Sequence, residues 1–263
     1  MVTPKSHGIA LKKQHGQHFL RDESIVYAML DRVKLTHETS VFEIGPGDGF
    51  LTYYILDTPI SRLWSFEIDP EWVNHLRKLF EGNRHLQVFE KNILDLDFSV
   101  FEPYKPWMLL ANLPYQVTFP ILHLLYKHRH LLQEGVIMVQ EEVAQKIVKT
   151  TGRGYGYSSL FFQHYFAWEL MVKVPPQAFY PAPKVFSRLL HFKPIKNPQE
   201  IPAEQEFWQF VKICFHQPRR TLKNNLSQTH YRLANVPEET LTLRAQQMNK
   251  EQLLAVWDLL RQA

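Results

Sequence analysis

The residues best suited to chemistry lie where apolar runs end. Trp107–Asn112 reads as a buried strand, and it stops on Asn112, Leu113, Pro114 and Tyr115. Proline cannot continue a sheet ladder, and an amide is a poor end for a buried strand. An asparagine oxygen and a neighbouring backbone carbonyl are two convergent acceptors. They suit a planar amine with two N–H donors, such as the exocyclic amine of adenine, and Tyr115 can stack on the base. The same four residues also fit a plain turn that ends a strand. A second constellation is "EIGPGDGFLT", residues 43–52. Gly45, Gly47 and Gly49 permit a tight turn and close approach of backbone to a ligand. Free N–H groups at the following helix start receive a carboxylate or phosphate. Glu67 ends the next apolar run, where an acid can accept from ribose hydroxyls. A glycine-rich turn with no ligand is the alternative, but strand, turn, helix, strand and terminal acid in that order favour a nucleoside-containing ligand.

Those residues need a sheet to position them. "VFEI" (41–44), "RLWSFEI" (62–68), "HLQVFE" (85–90), "WMLLAN" (107–112) and "GVIMVQ" (135–140) read as strands. "FLTYYILD" (50–57), "PEWVNHLRKLF" (70–80), the run near "FPILHLLYKH" and "EEVAQKIVK" read as helices between or after them. Strand alternating with helix implies a parallel, doubly wound sheet. Its strands are continuously apolar, as burial on both faces requires. "WELMVKV" (168–174) and "VFSRLLHF" (185–192) have no helix between them and suit an antiparallel hairpin at a sheet edge. "KPIKNPQEIP" (193–202) carries three prolines and reads as a linker. The predicted division is therefore a domain over 1–192, a linker over 193–202 and a helical domain over 203–263. From Lys193 onward there are ten Lys/Arg against seven Asp/Glu, so +3 of the net charge of +4 falls there.

Composition is that of a folded protein, 45% apolar and 21% charged in 263 residues. The mild basicity permits a nucleic-acid partner. One cysteine excludes a disulfide framework and a cysteine-rich zinc site. No run reaches the length of a membrane span, and no signal-peptide core follows the early lysines. Cytoplasmic location is the expectation, with no membrane partner and a monomer as default. His7, His15 and His18 lack acidic or cysteine partners nearby and read as surface histidines, so no metal is expected.

Together the motifs resemble the S-adenosylmethionine-dependent ribosomal RNA adenine dimethyltransferases, of the bacterial KsgA type and the Erm resistance type. Beyond "NLPY" and the glycine turn, "GQHFLRD" (16–22), "MVQEEVAQKIV" (138–148), "YGYSSLFFQ" (155–163), "FYPAPKVFS" (179–187) and "RRTLKNNL" (219–226) are similar to family segments in the same order. "NLPY" and "RRTLKNNL" look more like the KsgA type. The resemblance implies a class I, Rossmann-like methyltransferase sheet with a small all-α C-terminal domain, and S-adenosyl-L-methionine as cofactor. Glu43, Gly45 and Gly47 would line its methionine end, Glu67 would take the ribose, and Ile68 and Asn92 would flank the adenine. Gln17, Phe19 and Leu20 would cover the site. Asn112, shared with the cofactor, and Leu113, Pro114 and Tyr115 would hold the target adenine, with Phe179 closing its other face. Lys146, Lys149, Arg153, Lys184, Arg219, Arg220 and Lys223 would contact RNA, Arg219, Arg220 and Lys223 from C-terminal helices. The implied reaction is dimethylation of two adjacent adenosines near the 3′ end of small-subunit ribosomal RNA, within an immature subunit. Erm-like methylation of large-subunit RNA and a non-catalytic RNA- or DNA-binding assembly or transcription factor are the alternatives. Two positions depart from the pattern. Lys91 and Asn92 stand where the family carries Gly-Asp, and Phe186 replaces the aspartate of Val-Asp-Ser.

Overall fold

A computed structural model describes residues 5–12 and 17–261. Seven strands form one sheet: β1 (Ser40–Ile44), β2 (Arg62–Glu67), β3 (Leu86–Glu90), β4 (Trp107–Asn112), β5 (Leu132–Gln140), β6 (Phe166–Val174) and β7 (Ser187–Pro194). Their order across the sheet is β3-β2-β1-β4-β5-β7-β6. The first five run parallel, and β7 is antiparallel to β5, with Ser187 opposite Gln140 and Phe192 opposite Gly135. The two late strands do lie side by side at one edge, as expected, with β7 inside and β6 outermost. Every residue of β1 is buried, as is β4 up to Ala111, whereas the edge strand β3 is only partly covered. That contrast follows from position. A central parallel strand is covered on both faces, and an edge strand is not.

The helices are α1 (Glu23–Asp31), α2 (Phe50–Leu56), α3 (Pro70–Leu79), α4 (Thr118–Lys127), α5 (Glu141–Val148), α6 (Tyr157–Tyr165), α7 (Glu204–Cys214), α8 (Leu222–Leu226), α9 (Glu238–Leu241) and α10 (Lys250–Arg261). Local chemistry sets several starts. Asp22 caps α1 by accepting from Ser24 N–H, and Asp69 caps α3 by accepting from Glu71 N–H with Pro70 in the first turn. No helix among the described residues is long and apolar enough to cross a membrane.

The chain packs as two compact units. The first comprises the residues up to Ala144 together with Trp168–Pro194, and the second Gln145–Ala167 together with the residues from Ile195 on. Segment 145–167, which the sequence reading assigns to the first domain, thus packs with the C-terminal helices. In the first unit, one core joins Val41, Leu63, Met108, Leu110, Val136 and Leu189 of the sheet to Ile25, Met29 and Ile55 of α1 and α2. In the second, Trp208 Nε1 donates to the Tyr165 hydroxyl at 2.8 Å, which itself donates to Glu204. Phe210 of α7 stacks on Trp257 of α10 at 5.6 Å.

Candidate active site

The chain reverses direction across the sheet between β1 and β4, so the connections leaving their carboxyl ends diverge and open a crevice. Gly45 follows β1 and Asn112 closes β4. A Cβ built on Gly45 would meet the Pro114 ring at 3.6 Å, which shows how closely the two ends approach. Leu113 N–H extends the ladder by donating to Met138 C=O at 3.1 Å. Pro114 then ends it, and its carbonyl takes Val117 N–H at 3.2 Å to open the turn into α4. Asn112 Nδ2 donates to the His18 carbonyl at 3.1 Å. That bond commits the amide nitrogen and leaves Oδ1 as an acceptor with no donor among the described residues. Tyr115 lies alongside His18, 6.0 Å between ring centres and 26° between planes. Its hydroxyl shares a 2.5 Å hydrogen bond with Ser187 Oγ. Burial raises the Tyr115 phenol above its ordinary value, opposed by the Ser187 bond, so it stays a neutral, aligned ring.

The glycine turn adopts φ of 68° at Gly45 and 57° at Gly47, a region that side chains disfavour. A Cβ at Gly47 would lie 2.5 Å from the Phe19 ring, so only glycine lets the N-terminal segment close there. Gly47 N–H donates to Glu67 Oε2 at 3.2 Å, and Ile68 and Asp69 N–H donate to Oε1 at 2.9 and 3.0 Å. Three backbone donors fix the carboxylate and leave part of its acceptor capacity, about four sites, unspent. Burial raises the Glu67 pKa, partly offset by those bonds. Glu43 is buried more deeply and accepts from Thr52 and Ser65 hydroxyls at 2.8 and 2.9 Å. Burial pushes it up to about 7, with the Glu67 charge adding and the two hydroxyls opposing. Asn92 Oδ1 caps Leu94 N–H at 3.1 Å, while Nδ2 donates to Asp95 at 2.8 Å.

These groups surround one cavity of about 380 Å³, within the usual size of a small-molecule site. Gln17, Phe19, Gly45, Gly47, Glu67, Ile68, Asn92, Asn112, Leu113, Pro114 and Tyr115, all predicted from sequence, line it. Leu20 and Glu43 line a small pocket adjoining it, which Phe19, Gly45 and Asn112 share. Phe179 lines neither. It is buried in the main core and pairs in a short antiparallel ladder with Leu20. The mixture suits a nucleoside with an amino-acid tail, because a fixed carboxylate, the half-exposed apolar Ile68, an uncommitted amide oxygen and a glycine cradle converge on it.

A family model described as "Ribosomal RNA adenine dimethylase" matches residues 8–262. The chain belongs to the ribosomal RNA adenine dimethylase family. "Ribosomal RNA small subunit methyltransferase A" of Chlorobium phaeobacteroides is 33% identical over 261 residues, covering 99% of this chain and 95% of its own. The protein of the same name from Halothermothrix orenii is 36% identical over 232 residues, covering 86% and 77%. Among solved structures, a dimethyladenosine transferase from Plasmodium falciparum superposes with TM-score 0.75 at 21% identity, covering 91% of this chain and 96% of that one. The 23S rRNA methyltransferase ErmE superposes with TM-score 0.72 at 23% identity, covering 92% and 99%. At those identities the structural likeness speaks for the fold, and the fold agrees with the methyltransferase sheet expected. This dimethylase is thus an rRNA adenine dimethyltransferase by family, in a class that uses S-adenosylmethionine.

Several residues of the dimethylase site escaped the sequence reading. His18 lines the cavity and supplies the carbonyl that orients Asn112, although its side chain reads as a surface histidine. His15 lies outside the described residues, and His7 packs against His75 with ring centres 4.9 Å apart and planes tilted by 33°. Arg21 pairs with buried Asp48 of the glycine turn, and Lys12 with Asp69 and Glu71, so the N-terminal segment is tied down by charge. The motif "GQHFLRD" contained Arg21, but nothing in the sequence paired it with Asp48. The predicted RNA contacts Lys146, Lys149, Arg153, Lys184, Arg219, Arg220 and Lys223 are all exposed. Arg219 and Arg220 are not helical. They sit in a turn between α7 and α8 that the Asn225 amide clamps, accepting from Gln217 N–H and donating to Gln217 C=O, both at 3.1 Å. Pro218 and the cap Thr221 interrupt the helix there. Lys223 is on α8, paired with Glu238 at 2.8 Å.

Proposed function

We propose that this cavity holds S-adenosylmethionine beside an extruded adenosine, and that the chain dimethylates two adjacent adenosines near the 3′ end of small-subunit ribosomal RNA in an immature subunit. The observation that carries the reading is the committed amide of Asn112. With Nδ2 tied to His18, Oδ1 and the Leu113 carbonyl are left as the two acceptors that an exocyclic amine needs. When bound, the cofactor supplies an electrophilic methyl on a sulfonium. Glu67 takes a ribose hydroxyl, Ile68 covers the adenine of the cofactor, and Asn92 meets its edge. Glu43, Gly45 and Gly47 lie toward the methionine end, under Gln17, Phe19 and Leu20. Tyr115 lies against the target base, fixed by Ser187.

The amine of adenine is a weak nucleophile because its lone pair is delocalised into the ring. Acceptors at Asn112 and Leu113 draw its hydrogens out of plane and stabilise the positive charge that develops on nitrogen. No base is required before transfer, since the proton leaves to water from an already cationic nitrogen. One N–H remains after the first transfer, so one of the two acceptors can still hold the amine for the second. The base must leave its stack to enter, which costs least in looped RNA. Phe179, buried in the core, would reach the base only after a local rearrangement. Lys146, Lys149, Arg153, Lys184, Arg219, Arg220 and Lys223 supply phosphate contacts. The relatives' names support the small subunit as target.

Labelled S-adenosylmethionine supplied with immature small subunits, mature small subunits and free large-subunit RNA, followed by nucleoside analysis, tests the proposal. Dimethyladenosine in immature small-subunit RNA alone is expected. Label confined to large-subunit RNA would overturn the target, and RNA binding without label would overturn the chemistry.

A further inference from the structure

Phe186 is a large apolar side chain left 45% exposed immediately before β7. Its backbone is held on its carboxyl side. Its carbonyl accepts Glu141 N–H at 3.0 Å, and the next residue, Ser187, pairs across the ladder with Gln140. Glu141 is in turn gripped by Arg188 through two hydrogen bonds of 2.7 and 2.9 Å. Ser187 also holds the hydroxyl of Tyr115, so Phe186 stands one residue from the anchor of a ring that lines the cavity. Lys173 Nζ lies 4.3 Å from the Phe186 ring centre, and Lys184 is exposed two residues earlier. Val185 is half exposed as well. A half-exposed aromatic ring beside cations, adjoining in sequence the residue that anchors a cavity-lining ring, is a combination that stacks nucleobases and meets phosphates. A purely apolar partner would not explain the lysines, and a purely anionic one would not explain the ring.

We propose that Phe186 is a stacking platform for the nucleotide adjacent to the methylated adenosine, with Lys173 and Lys184 meeting the phosphates on either side. The inference rests on the proposed function and names how the same site reads its substrate. Extruding one base bares the face of its neighbour. Phe186 restacks that face and steadies the strand while the target base is out. Stacking is indifferent to base identity, so the platform contributes affinity and placement rather than sequence choice.

The test uses the full chain and an RNA hairpin whose loop carries two adjacent adenosines flanked by 2-aminopurine, a base whose fluorescence is quenched on stacking. Wild-type protein should quench it. Phe186→Ala should lose the quenching, bind about tenfold more weakly and raise KM for RNA about tenfold, with kcat and cofactor affinity unchanged. Phe186→Trp should retain both quenching and affinity. Wild-type-like quenching and KM in Phe186→Ala, or no binding of the hairpin by wild type, would overturn the inference. If label is transferred but quenching ignores Phe186, the platform falls and the activity stands. If quenching depends on Phe186 but no label is transferred, the activity falls and the platform stands.

Discussion

Asn112 is useful because of which of its amide atoms is already engaged. Replacing it with alanine removes an acceptor that acts as charge develops, so transfer should fall by about 10²–10³-fold. Binding of S-adenosylmethionine, followed by calorimetry, should change far less. Asn92 has the opposite character, since both of its polar atoms are engaged within its own turn. An aspartate at 92 alone would face Asp95, a like charge in place of a hydrogen bond. We expect Asn92→Asp to leave cofactor affinity nearly unchanged and Asn92→Asp with Asp95→Asn to tighten it several-fold, since hydrogen bonds to ionised groups contribute roughly 1 kcal/mol more than neutral ones. Glu43 gives a pH signature. Its carboxyl rises from 4.5 to about 7 on folding, so between those values the folded chain holds a proton that the unfolded chain has released. The contribution of Glu43 to stability is therefore greatest below the lower value, falls as pH rises through the interval and levels off above the upper one. The loss is on the order of 3 kcal/mol. Denaturant melts of cofactor-free protein should show that slope, and Glu43→Gln should flatten it.

At the scale of elements, the site exists because the N-terminal segment is fastened across the first glycine turn. The short ladder from Phe19–Leu20 to Phe179–Tyr180 holds one side, and the Arg21–Asp48 ion pair the other. Arg21→Ala leaves Asp48, 4% exposed, with only the Ser6 hydroxyl among the described residues within hydrogen-bonding distance and His7 at 3.9 Å. It should cost about 1–3 kcal/mol in thermal unfolding and weaken cofactor binding through the loosened segment over Gly47. The strands and helices of the sheet were legible in the sequence. Central parallel strands such as Trp107–Ala111 must be apolar on both faces, and Pro70 marks the start of α3. What was not legible depended on partners distant in sequence. The His18 carbonyl that orients Asn112 is 94 residues away, and a backbone atom leaves no mark in residue identity. Phe179 read as a site residue because its motif adjoins the site, yet its apolar ring is better accommodated in the core. Pro218 and Thr221 mark the turn at Arg219–Arg220, whereas the resemblance of "RRTLKNNL" to a basic helix placed both arginines in one.

Across the whole molecule a net charge of +4 is modest, so RNA affinity must depend on where the cations stand. Arg219→Glu with Arg220→Glu should weaken RNA binding and flatten its dependence on salt by roughly one to two in log–log slope, leaving cofactor affinity untouched. Filter binding across a salt series measures both. The path of the chain has a consequence of another kind. It crosses between the two units three times, after Ala144, after Ala167 and after Pro194. Tyr155, Phe161 and Tyr165, on the middle excursion, are buried against Phe215 and Trp208 from the C-terminal helices. Shortening the gene at Pro194 would therefore not release a self-sufficient catalytic core but would leave the aromatic side chains of segment 145–167 without their lining. The C-terminal helices are consequently a condition for burying the aromatic side chains of that middle excursion.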